Sequence, residues 1–161
     1  MDNIAHFLWG LTLVRKIKLT IPIALFSNMP DILSAPFFFY YVMKDKFPLK
    51  KHVLFEWKPT REYLEFYRFF HSILGFIIIT VVFNVFFPQH TLIFVICYAS
   101  HIIIDMFSHE GIWATRILYP FSDFHLSFTK NHWQHPTTRR LIYLALIIAN
   151  VQMILIKHKL F

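Results

Sequence analysis

The sequence predicts an all-α fold, a polytopic membrane helical bundle, from three observations. Hydrophobic residues make up 57% of the chain. Charged residues are only 16%, against roughly 25% in soluble domains. The apolar residues are gathered into runs, and Lys and Arg concentrate between those runs, as loops lying against anionic headgroups require. By length the chain is a single membrane-embedded helical domain, 1–161. A formal net charge of +7 would also suit nucleic acid, but in so apolar a chain membrane lipid is the expected partner and nucleic acid is not. The lone cysteine, Cys97, sits inside an apolar run and allows no disulfide framework. Met1-Asp2-Asn3-Ile4 lacks a basic n-region and the chain shows no small-residue cleavage site after it, so no removable signal peptide is expected.

Residues 4–14 and 19–29 are short apolar runs split by Arg15-Lys16-Ile17-Lys18. At about 1.5 Å per residue neither crosses a bilayer alone, so a short N-terminal helical hairpin or tilted half-spanning helices are expected. Pro30 is expected to end the second helix and to leave Asp31 at its C-terminal mouth, facing the same side as His6. Ile32 to Met43, aromatic and carrying Pro36, predicts an interfacial segment or a short helix. Lys44 to Glu65 is polar and reads as a solvated surface loop.

Phe66 to Phe87 predicts a membrane helix entered through Arg68, His71 and Ser72. Pro88-Gln89-His90 turns the chain, and Thr91 to Phe107 returns as the next helix. Ser108 to Arg140 is a second polar stretch whose His125, His132 and His135 read as loop surface, with a lid or accessory-ligand role as the alternative. Leu141 to Ile156 is the last apolar helix.

The chemistry concentrates at the end of the returning helix. Side chains four apart share a helical face, so His101, Asp105 and His109 form a polar stripe on an otherwise apolar helix. A buried carboxylate without a partner is costly, and metal coordination is one of the few ways to offset that cost. His101-x3-Asp105 is therefore expected to be a ligand pair. Counted from Gln89, His71 lies about 27 Å along the outgoing helix, and Asp105 and His101 about 24 and 18 Å along the returning one. Those heights predict one cluster at one membrane face.

The candidate metal ligands are His6, Asp31, His71, His101 and Asp105. Three imidazoles and two carboxylates suit a divalent metal, zinc first and manganese or iron as alternatives, as one or two ions, and argue against an all-oxygen calcium cage. Taken singly, each histidine also fits a hydrogen-bonded packing residue, and Asp31 a helix cap. The two long loops and the helix entry carry eleven Lys or Arg against five elsewhere, which by the positive-inside rule puts the cluster at the cytoplasmic face.

The order His6, Met29-Pro30-Asp31, Arg68-Phe69-Phe70-His71-Ser72, His101-Ile102-Ile103-Ile104-Asp105, Gly111 and Tyr119-Pro120-Phe121-Ser122 resembles a membrane-bound metal-dependent hydrolase family. Its bacterial members include LexA-regulated inner-membrane proteins, and the likeness runs from residue 4 to about 125. That family is itself thought to resemble the zinc-dependent phospholipase C and P1 nuclease group, in which one helix gives a His-x3-Asp pair to a metal cluster. The resemblance implies that Asp31, His71, His101 and Asp105 hold one metal and that His6 and Asp105 help to hold a second, in a protein of the bacterial inner membrane. Two departures stand out. Many members read Pro-Asp-x-Asp where this chain has Pro30-Asp31-Ile32-Leu33, and the later His and His-x3-Glu ligands of the phospholipase group have no counterpart unless His109 substitutes for one.

With such a metal the expected function is hydrolysis of a phosphoester in a lipid-like or membrane-proximal substrate by metal-activated water. Asp31, Arg68 and His71 are the residues expected to act on substrate: Asp31 to orient the water, Arg68 to pair with a phosphate or to snorkel to a headgroup. No Gly-rich phosphate loop, nucleophile elbow or Cys-x-x-Cys motif is present, and Ser72 is the one serine placed for nucleophilic attack. The rival expectations are a non-catalytic membrane protein with a structural polar core, and a channel lined by His71, His101 and Asp105.

Overall fold

A computed structural model describes residues 2–14, 20–48, 57–126 and 135–159, and every regular element among them is helical. In chain order these are α1 (Asn3–Val14), α2 (Thr20–Ala24), a 3-10 turn (Leu25–Asn28), α3 (Met29–Lys44), α4 (Arg61–Phe70), α5 (Ile73–Phe86), a 3-10 turn (Pro88–His90), α6 (Thr91–Ser108), a 3-10 turn (Gly111–Trp113) and α7 (Pro136–Lys159). Two runs, Ile21–Lys44 and Pro88–Ser108, are long and apolar enough to cross a membrane, and the pair α4 and α5 makes a third if it counts as one span. Apolar side chains point outward from them: Val85, Phe86 and Leu92 are 71%, 70% and 74% exposed. The polar residues His6, His71, His101 and Asp105 are buried instead. That inversion is the pattern of a bundle solvated by lipid.

The N-terminal arm differs from expectation in its second half. Pro30 begins a helix instead of ending one: it sits in the first positions of α3, where a missing N–H costs nothing because that hydrogen has no intrahelical acceptor. Asp31 accordingly lies in the first turn of α3, not at a C-terminal mouth. Ile32 to Met43 takes the helical alternative, as the body of α3, which continues through Pro36. The hairpin survives as α1 packed on α2 and the 3-10 turn, with Val14, Ile23, Ala24 and Cys97 buried together. The basic turn Arg15, Lys16 and Lys18 lies outside the described residues.

Gly10 sets how closely that arm packs. A Cβ there would stand 2.3 Å from Ser27 Oγ and 2.5 Å from the Ala24 carbonyl oxygen, so only glycine lets α1 approach the turn. Gly10→Val is expected to lower stability by about 1–3 kcal/mol, the usual cost of forcing atoms into a packed contact. The midpoint of thermal unfolding in detergent measures it.

The polar stretch after Lys44, of which residues 49–56 lie outside the described residues, includes a buried anchor. Trp57 returns to the interior, donates its indole N–H to Asp45 Oδ2 at 3.0 Å, and packs with Val42, Tyr63 and Tyr67. Thr60 then caps α4 by accepting from the Tyr63 amide at 3.3 Å.

The helix expected over Phe66 to Phe87 is broken. The axes of α4 and α5 meet at 61°, with His71 and Ser72 at the corner. Ser72 caps α5 by accepting the Gly75 amide at 3.1 Å while its hydroxyl donates to the Phe69 carbonyl at 2.8 Å. Groups freed by the break find new partners. Tyr98 donates to the Phe70 carbonyl at 2.8 Å, and the Ile73 amide to the Ile117 carbonyl at 2.9 Å. From the bend α5 runs back along α6, where Phe83 stacks on Phe94 with centroids 4.0 Å apart and Phe76 meets Tyr98 edge-on. On the opposite flank α7 is fixed to α1 by Asn150, whose amide donates to the Leu8 carbonyl and to Thr12 Oγ1, each at 3.1 Å.

Candidate functional site

Five separate stretches bring their ionisable groups to one buried point. α6 contributes His101 and Asp105, one turn apart on its inward face and 0% and 1% exposed. The bend contributes His71, α1 contributes His6, the first turn of α3 contributes Asp31, and the residue after α6 contributes His109. All six predicted metal-ligand positions therefore stand together.

The orientation of two imidazoles is set by backbone carbonyls. His101 Nδ1 lies 2.6 Å from the Ser27 carbonyl oxygen and His71 Nδ1 lies 2.8 Å from that of Tyr67. A ring nitrogen facing a carbonyl must carry the hydrogen, so in each neutral ring Nε2 is left with its lone pair. Those two Nε2 atoms face one another at 3.2 Å.

Carboxylates surround the same pair. Asp105 Oδ2 is 3.1 Å from His101 Nε2 and 3.9 Å from His71 Nε2. Asp31 reaches His71 Nε2 at 3.4 Å through Oδ1 and His101 Nε2 at 3.8 Å through Oδ2. The other oxygen of Asp105 meets His6 Nε2 at 3.0 Å, His109 Nδ1 at 3.1 Å and the Ser108 hydroxyl at 3.3 Å. His6 also stacks on His101, centroids 3.7 Å apart. Two overlapping triads, His6, Asp31 and His101, and His71, His101 and Asp105, each place one donor atom per residue within 4.8 Å of the others. Among the described residues these are the groups spaced to hold a metal ion; His109 belongs to neither triad and meets Asp105.

The members of the knot differ in exposure. The Asp31 side chain is 20% exposed, whereas those of His6, His71, His101 and Asp105 are 2% or less. Asp31 is the most exposed member of the cluster, ahead of His109 at 7%.

Other candidates are placed elsewhere. Arg68, one turn before His71, makes no ion pair with Asp31 or Asp105 among the described residues; the titratable groups acting on it are Arg116, Tyr119, Glu65 and Arg61. Ser72 has its hydroxyl committed to capping and offers no nucleophile. His125 turns to the Asp123 carbonyl in an exposed loop, His135 is exposed, and His132 lies outside the described residues.

Sequence reasoning missed the two carbonyls that aim the imidazoles, and it missed Tyr67. That tyrosine stacks its ring on His71 with centroids 4.1 Å apart and lends it the carbonyl. Its position four residues before His71 on one helix was the available signal.

A family model described as YdjM inner membrane protein matches residues 1–159. The chain belongs to that family, and the description places it in the inner membrane without naming an activity. No curated protein and no solved structure matches.

Proposed function

We propose that this member of the YdjM inner membrane protein family is a metal-dependent hydrolase that cleaves a phosphoester in a lipid-like or membrane-proximal substrate. One observation carries the reading. Two buried imidazole Nε2 lone pairs are aimed at each other across 3.2 Å between two carboxylates, and an array of acceptors calls for a cation at its centre. Neutral imidazoles leave the two carboxylates with a charge that a divalent ion balances.

His71, His101, Asp31 and Asp105 are the residues that would hold such an ion, with His6 and Asp105 reaching a second. The donor set suits zinc first, and manganese or iron next. A bound divalent ion supplies acidified water and polarises a phosphoryl oxygen. The protein's own residues do the rest. The Ser27 and Tyr67 carbonyls hold two rings in one tautomer. Asp105 fixes three imidazoles at once. Asp31, the most exposed of the cluster, is placed to orient an incoming water and accept its proton. The excess of basic residues in the long loops supports a site at the cytoplasmic face.

A second reading, a non-catalytic membrane protein with a structural polar core, is favoured by the three imidazoles that already pair with Asp105. Hydrolysis of a generic phosphodiester in detergent separates the two. The enzyme reading expects stoichiometric metal by elemental analysis, activity abolished by chelator, and activity restored by added zinc or manganese. Activity that chelator leaves intact, or no hydrolysis of any phosphoester or lipid offered, favours the structural core.

A further inference from the structure

A second polar feature lies at the bend between α4 and α5. The segment after the Gly111–Trp113 turn crosses the corner between α4 and α5, held there by the Ile73 amide on the Ile117 carbonyl at 2.9 Å and by the Tyr67 hydroxyl on the Trp113 carbonyl at 3.4 Å. It carries Arg116 to the corner that follows Arg68 by one turn, and Arg116 is the foremost charge acting on Arg68. The contacts of Tyr67 with Trp113 and of Ile73 with Ile117 flank Arg68 and Arg116 and bring these two partly buried, like-charged residues to the same corner. The Nε of each is buried and has no hydrogen-bond partner. Arg116 does use another nitrogen on Asp123, but that carboxylate is 79% exposed and leaves both Nε donors unmet.

Adjoining guanidiniums with unmet donors are costly unless an anion joins them, and planar guanidinium forks match the oxygens of phosphate. Past Arg116 the segment exposes Leu118, Phe121 and Phe124, which are 45%, 83% and 53% accessible. A soluble anion has no use for those side chains, whereas the tails of a lipid do.

We propose that Arg68 and Arg116 together bind the phosphate of an anionic membrane lipid, whose acyl region lies against Leu118, Phe121 and Phe124. This deepens the phosphoester reading, on which its meaning as substrate recognition rests, by naming a lipid phosphate as the group held beside His71. Arg68 is thereby a substrate-binding residue acting with a partner from the loop, not a member of the buried cluster.

The test uses the full chain in mixed micelles, with spin-labelled phosphatidic acid and spin-labelled phosphatidylcholine as probes. Wild-type protein is expected to immobilise phosphatidic acid in preference. R68Q and R116Q should each weaken that preference about tenfold, while R116K retains part of it because the charge remains and the fork does not. Circular dichroism confirms that the variants fold, and R116K keeps the comparison valid should R116Q not. Equal retention of the two lipids, or unchanged selectivity in both glutamine variants, overturns the site. So does displacement of phosphatidic acid by inorganic phosphate at the same concentration, which would make free phosphate the ligand. Chelator should leave lipid selectivity intact. If hydrolysis is absent while arginine-dependent selectivity persists, the lipid site stands and the enzyme reading falls.

Discussion

Asp105→Ala is expected to strip the purified protein of bound divalent metal, abolish phosphoester hydrolysis and lower stability by about 3 kcal/mol, the scale of breaking a buried charged pair. The effect is large because one carboxylate serves four rings. Its oxygens lie 3.0 Å from His6 Nε2, 3.1 Å from His101 Nε2, 3.1 Å from His109 Nδ1 and 3.9 Å from His71 Nε2. Removing it leaves those nitrogens without their carboxylate partner in the interior, the residue being only 1% exposed. Asp105→Asn isolates the charge from the shape. The amide fills the same volume and still hydrogen-bonds, so most of the stability should return while metal binding and activity stay lost. Elemental analysis and chemical denaturation in detergent read the two quantities separately. Full metal content in Asp105→Ala would end the ligand assignment, whatever became of stability.

What the sequence made legible was the chemistry, and what it hid was the backbone that aims it. His101 and Asp105 could be paired from spacing alone, because four residues make a helical turn wherever the helix lies. His71 could be put at their height by counting residues from the Pro88 turn, because rise per residue is nearly constant. Pro30 misled because a proline ends one helix and opens another with the same ring, and only the neighbouring 3-10 turn decides between them. The bend at Ser72 was hidden in a run of apolar residues that suits a straight span equally well. Its marks were small: a serine able to cap and, three residues on, a glycine. The carbonyls of Ser27 and Tyr67 were beyond reach, since every residue has a carbonyl and nothing in a side chain says which will be left free.

Gly75→Ala is the second large effect, and it touches no ionisable group. A Cβ at that position would stand 2.0 Å from the Phe69 carbonyl oxygen and 2.8 Å from its carbon, both backbone atoms that cannot swing aside as a side chain would. The methyl can be admitted only by opening the 61° corner between α4 and α5. Opening it carries His71 away from His101 and frees the Phe70 and Ile117 carbonyls from Tyr98 and the Ile73 amide. The expected result is a loss of about 1–3 kcal/mol or more from forced overpacking, together with a fall in metal content and activity. Val82→Ala, on an exposed face of the same helix, is the matched control and should change neither. The comparison bears on mechanism as well as on packing. If the imidazoles were merely surface-like groups gathered by an ion, a shifted His71 could follow the ion and metal would remain. If the ring is aimed in advance by the corner, as the 2.8 Å contact of its Nδ1 with the Tyr67 carbonyl implies, moving the corner empties the site although every ligand is still in the chain. Unchanged stability and metal content in Gly75→Ala would show that the corner does not place His71.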